Sequence, residues 1–241
     1  MMATPVTLSR SAEQQQFASS LHELLAAADV PGAARRWAGG DHSPGLALWR
    51  KLAGVGVTAL AVRPRSGGLG ASWLDVVIAC EELGHHAMPG PVAGAVAQAR
   101  EAGTLACAAQ LLGAGRALLE ASVRHAGQRS QFGRPIGSFQ AVKHRLADVA
   151  IGLEFARPLL DEAAVTLTPR DVSAAKVACT CAAQIAARAA LQVHGAIGYT
   201  QEHDLHLWLT KVRALAGTWG SQAEHRARVM AAIADGSLAW S

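Results

Sequence analysis

Phe139-Gln-Ala-Val-Lys-His-Arg-Leu-Ala-Asp-Val-Ala-Ile-Gly-Leu153 carries an apolar series at Phe139, Val142, Leu146, Val149 and Leu153, in steps of 3, 4, 3 and 4. Lys143, His144, Arg145 and Asp148 fall on the opposite face. This is one stripe of an amphipathic helix, and a strand with its period of two cannot produce it. Working outward, the same logic predicts a helix over residues 104–127, with Leu105, Ala108, Leu112, Leu119 and Val123 on one side. Another over 172–194 is built of Ala, Cys, Val and Ile, and its small side chains predict close helix–helix approach in a bundle. A fourth begins near Asp204 with Leu205, Trp208, Val212 and Leu215, and a last spans 222–233.

The N-terminal part is helical but more interrupted. Ser11 caps a helix bearing Phe17, Leu21, Leu24 and Leu25, a short helix follows Pro44, and Ser72 with Asp75 forms a capping box for a helix ending at Gly84. Residues 62–70, with a proline and several glycines, read as a loop, and 55–62 is the one plausible strand. Pro89 and Pro91 break any helix across 88–94 and mark the boundary between two helical modules, 1–92 and 100–241.

With 51% hydrophobic and 17% charged residues in 241, the chain is globular and not disordered. Its longest charge-free apolar run, 102–115, is shorter than the roughly 20 residues of a membrane span, so no membrane is expected. Residues 1–15 lack a basic stretch followed by an apolar one, so no secretory signal is expected. Cys80, Cys107, Cys179 and Cys181 form no CxxC pair, which fits reduced thiols in the cytoplasm. The net charge is +4, but the basic residues are dispersed and follow no nucleic-acid motif, so neither DNA nor RNA is expected as a partner. His203 and His206, or Cys179 and Cys181, lack further ligands at coordinating spacing, and no metal is expected.

Two segments carry chemistry. Gln128-Arg-Ser-Gln-Phe-Gly-Arg-Pro-Ile-Gly-Ser-Phe-Gln140 ends one helix, turns at Gly133 and Pro135 and starts the next. Arg129 and Arg134 there can meet phosphate oxygens through charge-assisted bonds. Gln192-Val-His-Gly-Ala-Ile-Gly-Tyr-Thr-Gln-Glu-His203 stops a helix where Gly195 and Gly198 let backbone approach a ligand.

Together, Arg129-x-Gln-Phe-Gly-Arg-Pro-Ile-Gly-x-Phe-Gln and Gln192-x-His-Gly-x-Ile-Gly-Tyr-Thr resemble, in order, the C-terminal helical domain of acyl-CoA dehydrogenases. Gly67-Gly-Leu-Gly, Glu81-Glu-Leu-Gly and Pro89-Gly-Pro are similar to that family's first helical domain. The resemblance implies an all-α chain: an N-terminal helical domain plus a C-terminal four-helix-bundle domain. It also implies FAD held between subunits. Carried over, Arg129 meets the pyrophosphate, Gln131 and Phe132 contact the dinucleotide, and Ile136 and Phe139 flank its adenosine end. Gln192, His194, Gly195 and Ala196 line the same cofactor.

Two departures shape the functional expectation. The family's middle β-domain, which cradles the flavin ring, has no room between Val92 and the helix near Thr104. The family's catalytic glutamate also has no counterpart: the position falls on Trp219, or on Ala216 in a shifted register, and the alternative position on the first C-terminal helix falls near Gly103. Glu101 lies two residues away and faces elsewhere on a helix. Neither indole nor methyl can take an α-proton, so the chain is expected to supply no catalytic residue. The expectation is therefore a subunit of a heteromeric acyl-CoA dehydrogenase, of the kind that desaturates steroid side-chain thioesters. A full-length paralogue, in a heterotetramer, would supply the flavin-ring pocket, the base and most of the acyl-CoA site. The alternative is a non-catalytic helical scaffold of the same descent.

Overall fold

The computed structural model describes residues 10–92, 94, 99–200 and 203–236. Among them are nine α-helices: α1 (Ala12–Ala26), α2 (Val30–Ala38), α3 (Ser43–Gly54), α4 (Trp73–His85), α5 (Arg100–Gln128), α6 (Gln140–Thr166), α7 (Pro169–His194), α8 (Leu205–Gly217) and α9 (Gln222–Ala234). The expected all-α class holds, and the described residues contain no sheet beyond one two-residue hairpin. Capping boxes at Ser11–Gln14, Ser72–Asp75 and Ser221–Glu224 start α1, α4 and α9 by satisfying otherwise orphaned N–H groups.

The expected strand at 55–62 is corrected: Val57–Ala59 is a 3-10 turn entered through Gly56 at φ 85°. No second strand lies beside it, so its backbone bonds locally, and the returning loop donates Leu69 N–H to Ala59 O (3.0 Å). α2 escapes the sequence reading because Pro31 and Gly32 look like turn residues. In the fold Pro31 sits in the first turn, where it costs no hydrogen bond, and the Asp29 carboxylate accepts from Gly32 N–H (2.8 Å).

α5, α6 and α7 form the bundle, α4 lies along α5, and α8 and α9 close the other side. One cluster of buried apolar side chains runs from Leu21 and Leu25 of α1 through α4, α5, α6 and α7 to Val212 of α8. α5 is long and apolar enough to cross a membrane, but 89% of its most apolar window is buried inside the protein, as a core helix requires.

α4 and α5 cross with backbone against backbone. A Cβ on Gly113 would fall far inside contact distance of the Glu81 carbonyl oxygen, and one on Gly84 would strike the Gln110 backbone. Gly113→Ala is expected to lose at least the roughly 1–3 kcal/mol typical of overpacking, because backbone cannot step aside as a side chain can. Chemical denaturation of the two proteins measures it.

This crossing buries Glu81 completely among three arginines. Its carboxylate accepts from Arg10 Nη2 (2.7 Å), Arg116 Nη1 (2.6 Å) and, bidentately, Arg157 (2.8 and 3.1 Å). Burial pushes the Glu81 pKa up, but the three guanidinium groups, Arg157 foremost, outweigh it and hold the carboxyl well below the usual range. The acid therefore stabilises the fold above its unfolded pKa and loses that contribution only as pH falls below it. Glu81→Gln is expected to cost about 3 kcal/mol at pH 7, near the low end for a broken buried pair because Arg116 and Arg157 reach solvent. The difference from wild type should shrink below about pH 4 in parallel denaturation curves.

Candidate functional site

The first motif starts where α5 ends. Ser130–Gln131 and Arg134–Pro135 pair as a tight antiparallel hairpin, with Phe132 (φ 52°) and Gly133 (φ 77°) as its two central residues. Two consecutive positive φ values describe a type I′ turn, which suits Gly133 and strains Phe132. The turn holds Phe132 almost wholly in solvent, 92% exposed. The Phe139 ring meets it edge-on at 6.2 Å, and the Arg134 guanidinium lies 4.3 Å over the Phe139 ring. Arg129, the C-cap of α5, is exposed, and its side chain has no ion-pair partner among the described residues. Ile136, in the 3-10 turn that follows, is half-buried and donates its N–H to Arg129 O (2.8 Å), while Gln131 is exposed. The result is an exposed platform of cations and aromatic faces.

The second motif starts where α7 ends. Gly195, at φ 62° and ψ −139°, adopts a conformation essentially closed to other residues, and the chain leaves the helix there. Gln192, Gly195 and Ala196 are exposed. His194 is turned inward, 6% exposed, and donates Nδ1–H to Ala190 O (2.8 Å). Its ring stacks on His125 of α5 at 4.4 Å and 27°. Burial holds both imidazoles below their ordinary pKa, so the stack is neutral at pH 7. His125 lies one turn before Arg129, and its carbonyl accepts from Arg129 N–H (2.8 Å). The stack therefore joins the two motif loops at one end of the bundle.

At the other end, the two positions where the resemblance would place a glutamate meet each other. A Cβ on Gly103 would fall 2.5 Å from Trp219 Cε2, so the indole occupies the space above Gly103. Trp219 stands at φ 62°, an uncommon conformation for a bulky residue. Its carbonyl accepts from His225 Nε2 (3.1 Å), and His225 Nδ1 lies 3.1 Å from the Ser173 hydroxyl, which fixes the tautomer. The end of α8 is tied down by the fully buried Lys176, which donates to Cys107 Sγ (3.0 Å) and to the Leu215 carbonyl.

Trp219 also lines a largely apolar groove of about 950 Å³, with Trp37, Met88, Pro91, Lys211 and Leu215 among its walls. No carboxylate is among the described residues lining it, so the groove lacks the acid that the resemblance would place there, and its titratable side chains include His206 and Lys211. Lys211 donates to Met88 O (2.8 Å), and burial pushes its amine down to about 8. The folded state thus releases this proton before the unfolded chain does, and stability should rise as pH climbs from 7 towards 10. Lys211→Met is expected to flatten that rise in denaturation curves at pH 7 and 9.5.

Comparison with known proteins agrees with this geometry. The family model for the acyl-CoA dehydrogenase C-terminal domain matches residues 95–234, and that for the N-terminal domain matches residues 11–120. The chain belongs to the acyl-CoA dehydrogenase family. The two matches overlap, so the chain runs from the family's first helical domain into its last with no sheet domain between them. Acyl-CoA dehydrogenase IpdE2 of Mycobacterium tuberculosis is 41% identical over 109 residues, which are 45% of this chain and 34% of IpdE2. The bovine mitochondrial short-chain specific acyl-CoA dehydrogenase is 30% identical over 174 residues, 66% of this chain and 38% of that enzyme. The match with IpdE2 of Mycolicibacterium smegmatis covers 42% of it, so the chain spans well under half the length of these curated relatives. Among solved structures, a glutaryl-CoA dehydrogenase bound to glutaryl-CoA superposes with a TM-score of 0.85 at 17% identity, covering 97% of both chains. A chain of the ChsE4–ChsE5 complex of M. tuberculosis gives 0.81 at 18% identity, covering 95% of this chain and 99% of that one. At such identities the likeness shows the fold.

Proposed function

We propose that this chain is one subunit of a heteromeric acyl-CoA dehydrogenase, contributing the dinucleotide end of a shared FAD site while its partner contributes the base. The observation that carries the proposal is the indole of Trp219 packed over Gly103, where the acid of a self-sufficient enzyme would stand. The platform at the opposite end is intact, and its donor set fits a phosphate-bearing cofactor. Arg129 would offer its exposed guanidinium to the pyrophosphate, and Arg134, its guanidinium over the Phe139 ring, belongs to the same hairpin. Gln131 and Phe132 would contact the dinucleotide and Ile136 and Phe139 would flank its adenosine end, with the Phe132 ring 92% exposed and open to contact. Gln192, Gly195 and Ala196 present side-chain amide and open backbone, and His194 braces their turn from within.

FAD, when bound, supplies the hydride acceptor. The partner's carboxylate removes the α-proton of the acyl-CoA, and its sheet domain encloses the reacting end. Losing a general base alone removes about 10²–10⁴ in rate, which is why the partner is indispensable. The partner is a full-length paralogue, the assembly a heterotetramer and the compartment the cytoplasm, where the four free cysteines stay reduced. The likeness to the ChsE4–ChsE5 complex and to a "steroid ACAD" formed by Tcur3481 and Tcur3483 supports both a two-chain enzyme and a steroid-derived thioester as substrate.

The chain purified alone is expected to be colourless and inactive, and co-expression with a full-length paralogue to yield a yellow, active complex. Arg129→Ala is expected to lower the flavin content of that complex several-fold without dissociating it. A yellow chain that oxidises a thioester unaided overturns the proposal. Unchanged flavin content in an Arg129→Ala, Gln192→Ala double variant favours the scaffold alternative.

A further inference from the structure

Glu82, His85 and His86 of the α4 segment are spaced i, i+3 and i+4, which puts them on one side of the helix end. His22 of α1 packs against that side. One donor atom from each of these four residues lies within 4.8 Å of the other three. His22 Nδ1 is 2.9 Å from Glu82 Oε2 and 3.2 Å from His86 Nε2. In a tetrahedral zinc site with bonds of 2.0–2.1 Å, neighbouring donors stand about 3.3 Å apart, so this corner of the cluster already has the dimensions of a ligand set.

We infer that His22, Glu82, His85 and His86 form a binding site for a divalent transition-metal ion of the zinc class. Three imidazoles and one carboxylate are the donors such ions prefer over the all-oxygen sets of magnesium and calcium. A polar atom left idle at the cluster adds independent support. His85 is 8% exposed, its Nε2 is bonded to Glu120 Oε2 (3.0 Å), and its Nδ1 is buried without a hydrogen-bond partner among the described residues. The ring of His85 lies 5.1 Å from that of His22 and 5.0 Å from that of His86. A buried orphan imidazole nitrogen is costly, and a metal ion within the cluster would use ring nitrogens that hydrogen bonding leaves idle. Glu120 then plays the carboxylate partner that orients a metal-bound histidine.

The neighbouring charges leave the site open. Arg116 approaches Glu82 through Oε1 at 3.4 Å, on the other oxygen from the one facing His22. The His22 side chain is 43% exposed and borders an open cavity of about 780 Å³, which gives an ion a path in. An ion held here would pin the N-terminal helix α1 to the end of α4, apart from both loops of the FAD platform.

The test uses the full chain, stripped with a chelator and titrated with zinc chloride against a chromophoric competitor. Metal content is read after gel filtration. One zinc per chain is expected, with a melting temperature about 5 °C or more above the stripped protein at a hundredfold excess over Kd. Magnesium at millimolar concentration should produce no shift. His22→Gln, at the exposed rim where folding is least at risk, and His86→Gln should each weaken zinc binding at least tenfold, and Glu120→Gln by about 10–100-fold. His203→Gln should leave it unchanged. Sub-stoichiometric zinc in the wild-type chain, or full zinc occupancy in a folded His22→Gln, His86→Gln double variant, overturns the assignment.

Discussion

The backbone contact between α4 and α5 is the constraint on which the rest of the molecule depends. Gly84 and Gly113 let the two helices approach until backbone meets backbone, and no side chain could be added at either position without forcing them apart. That approach buries the Glu81 carboxylate, and three arginines drawn from the N-terminal segment, α5 and α6 converge to neutralise it. Packing and electrostatics are therefore coupled: widening the crossing would loosen the ion cluster, and removing the acid would leave the arginines facing one another across it. Through this joint the N-terminal helices and the C-terminal bundle share one core.

Held in that frame, the bundle has two differently equipped ends. At one, the C-terminal ends of α5 and α7 are joined by a neutral histidine stack, and both motif loops emerge there. At the other, α8 is anchored by a buried lysine and delivers Trp219 onto Gly103. The positive φ at Trp219, held by the bond from His225 to its carbonyl, shows that the indole is fixed in place by its surroundings.

Much of this was legible in the residues. The 3–4 spacing from Phe139 and the small-residue composition of α7 foretell a close-packed bundle, and the Ser11 and Ser72 caps follow from local chemistry alone. The loops at Arg129 and Gln192 are recognisable because each motif is written in consecutive residues. What was not legible depends on distance along the chain. The sequence marks Gly103 and Trp219 separately as places where an acid is missing, but only the fold shows that they touch, and His22 joins Glu82 from 60 residues away. Residues 55–62 look extended because Val57 and Leu60 are apolar, but a strand needs a neighbour and the fold provides none. α2 was hidden by the ambiguity of proline, which breaks a helix interior and favours a helix start.

Phe132 has a cost that falls on the uncomplexed molecule. Its ring stands at the tip of a stiff hairpin, on strained backbone, with nowhere to fold back to. At about 25 cal/mol for each Å² of apolar surface left in water, the exposed ring carries a free-energy cost that any surface packing against it would recover.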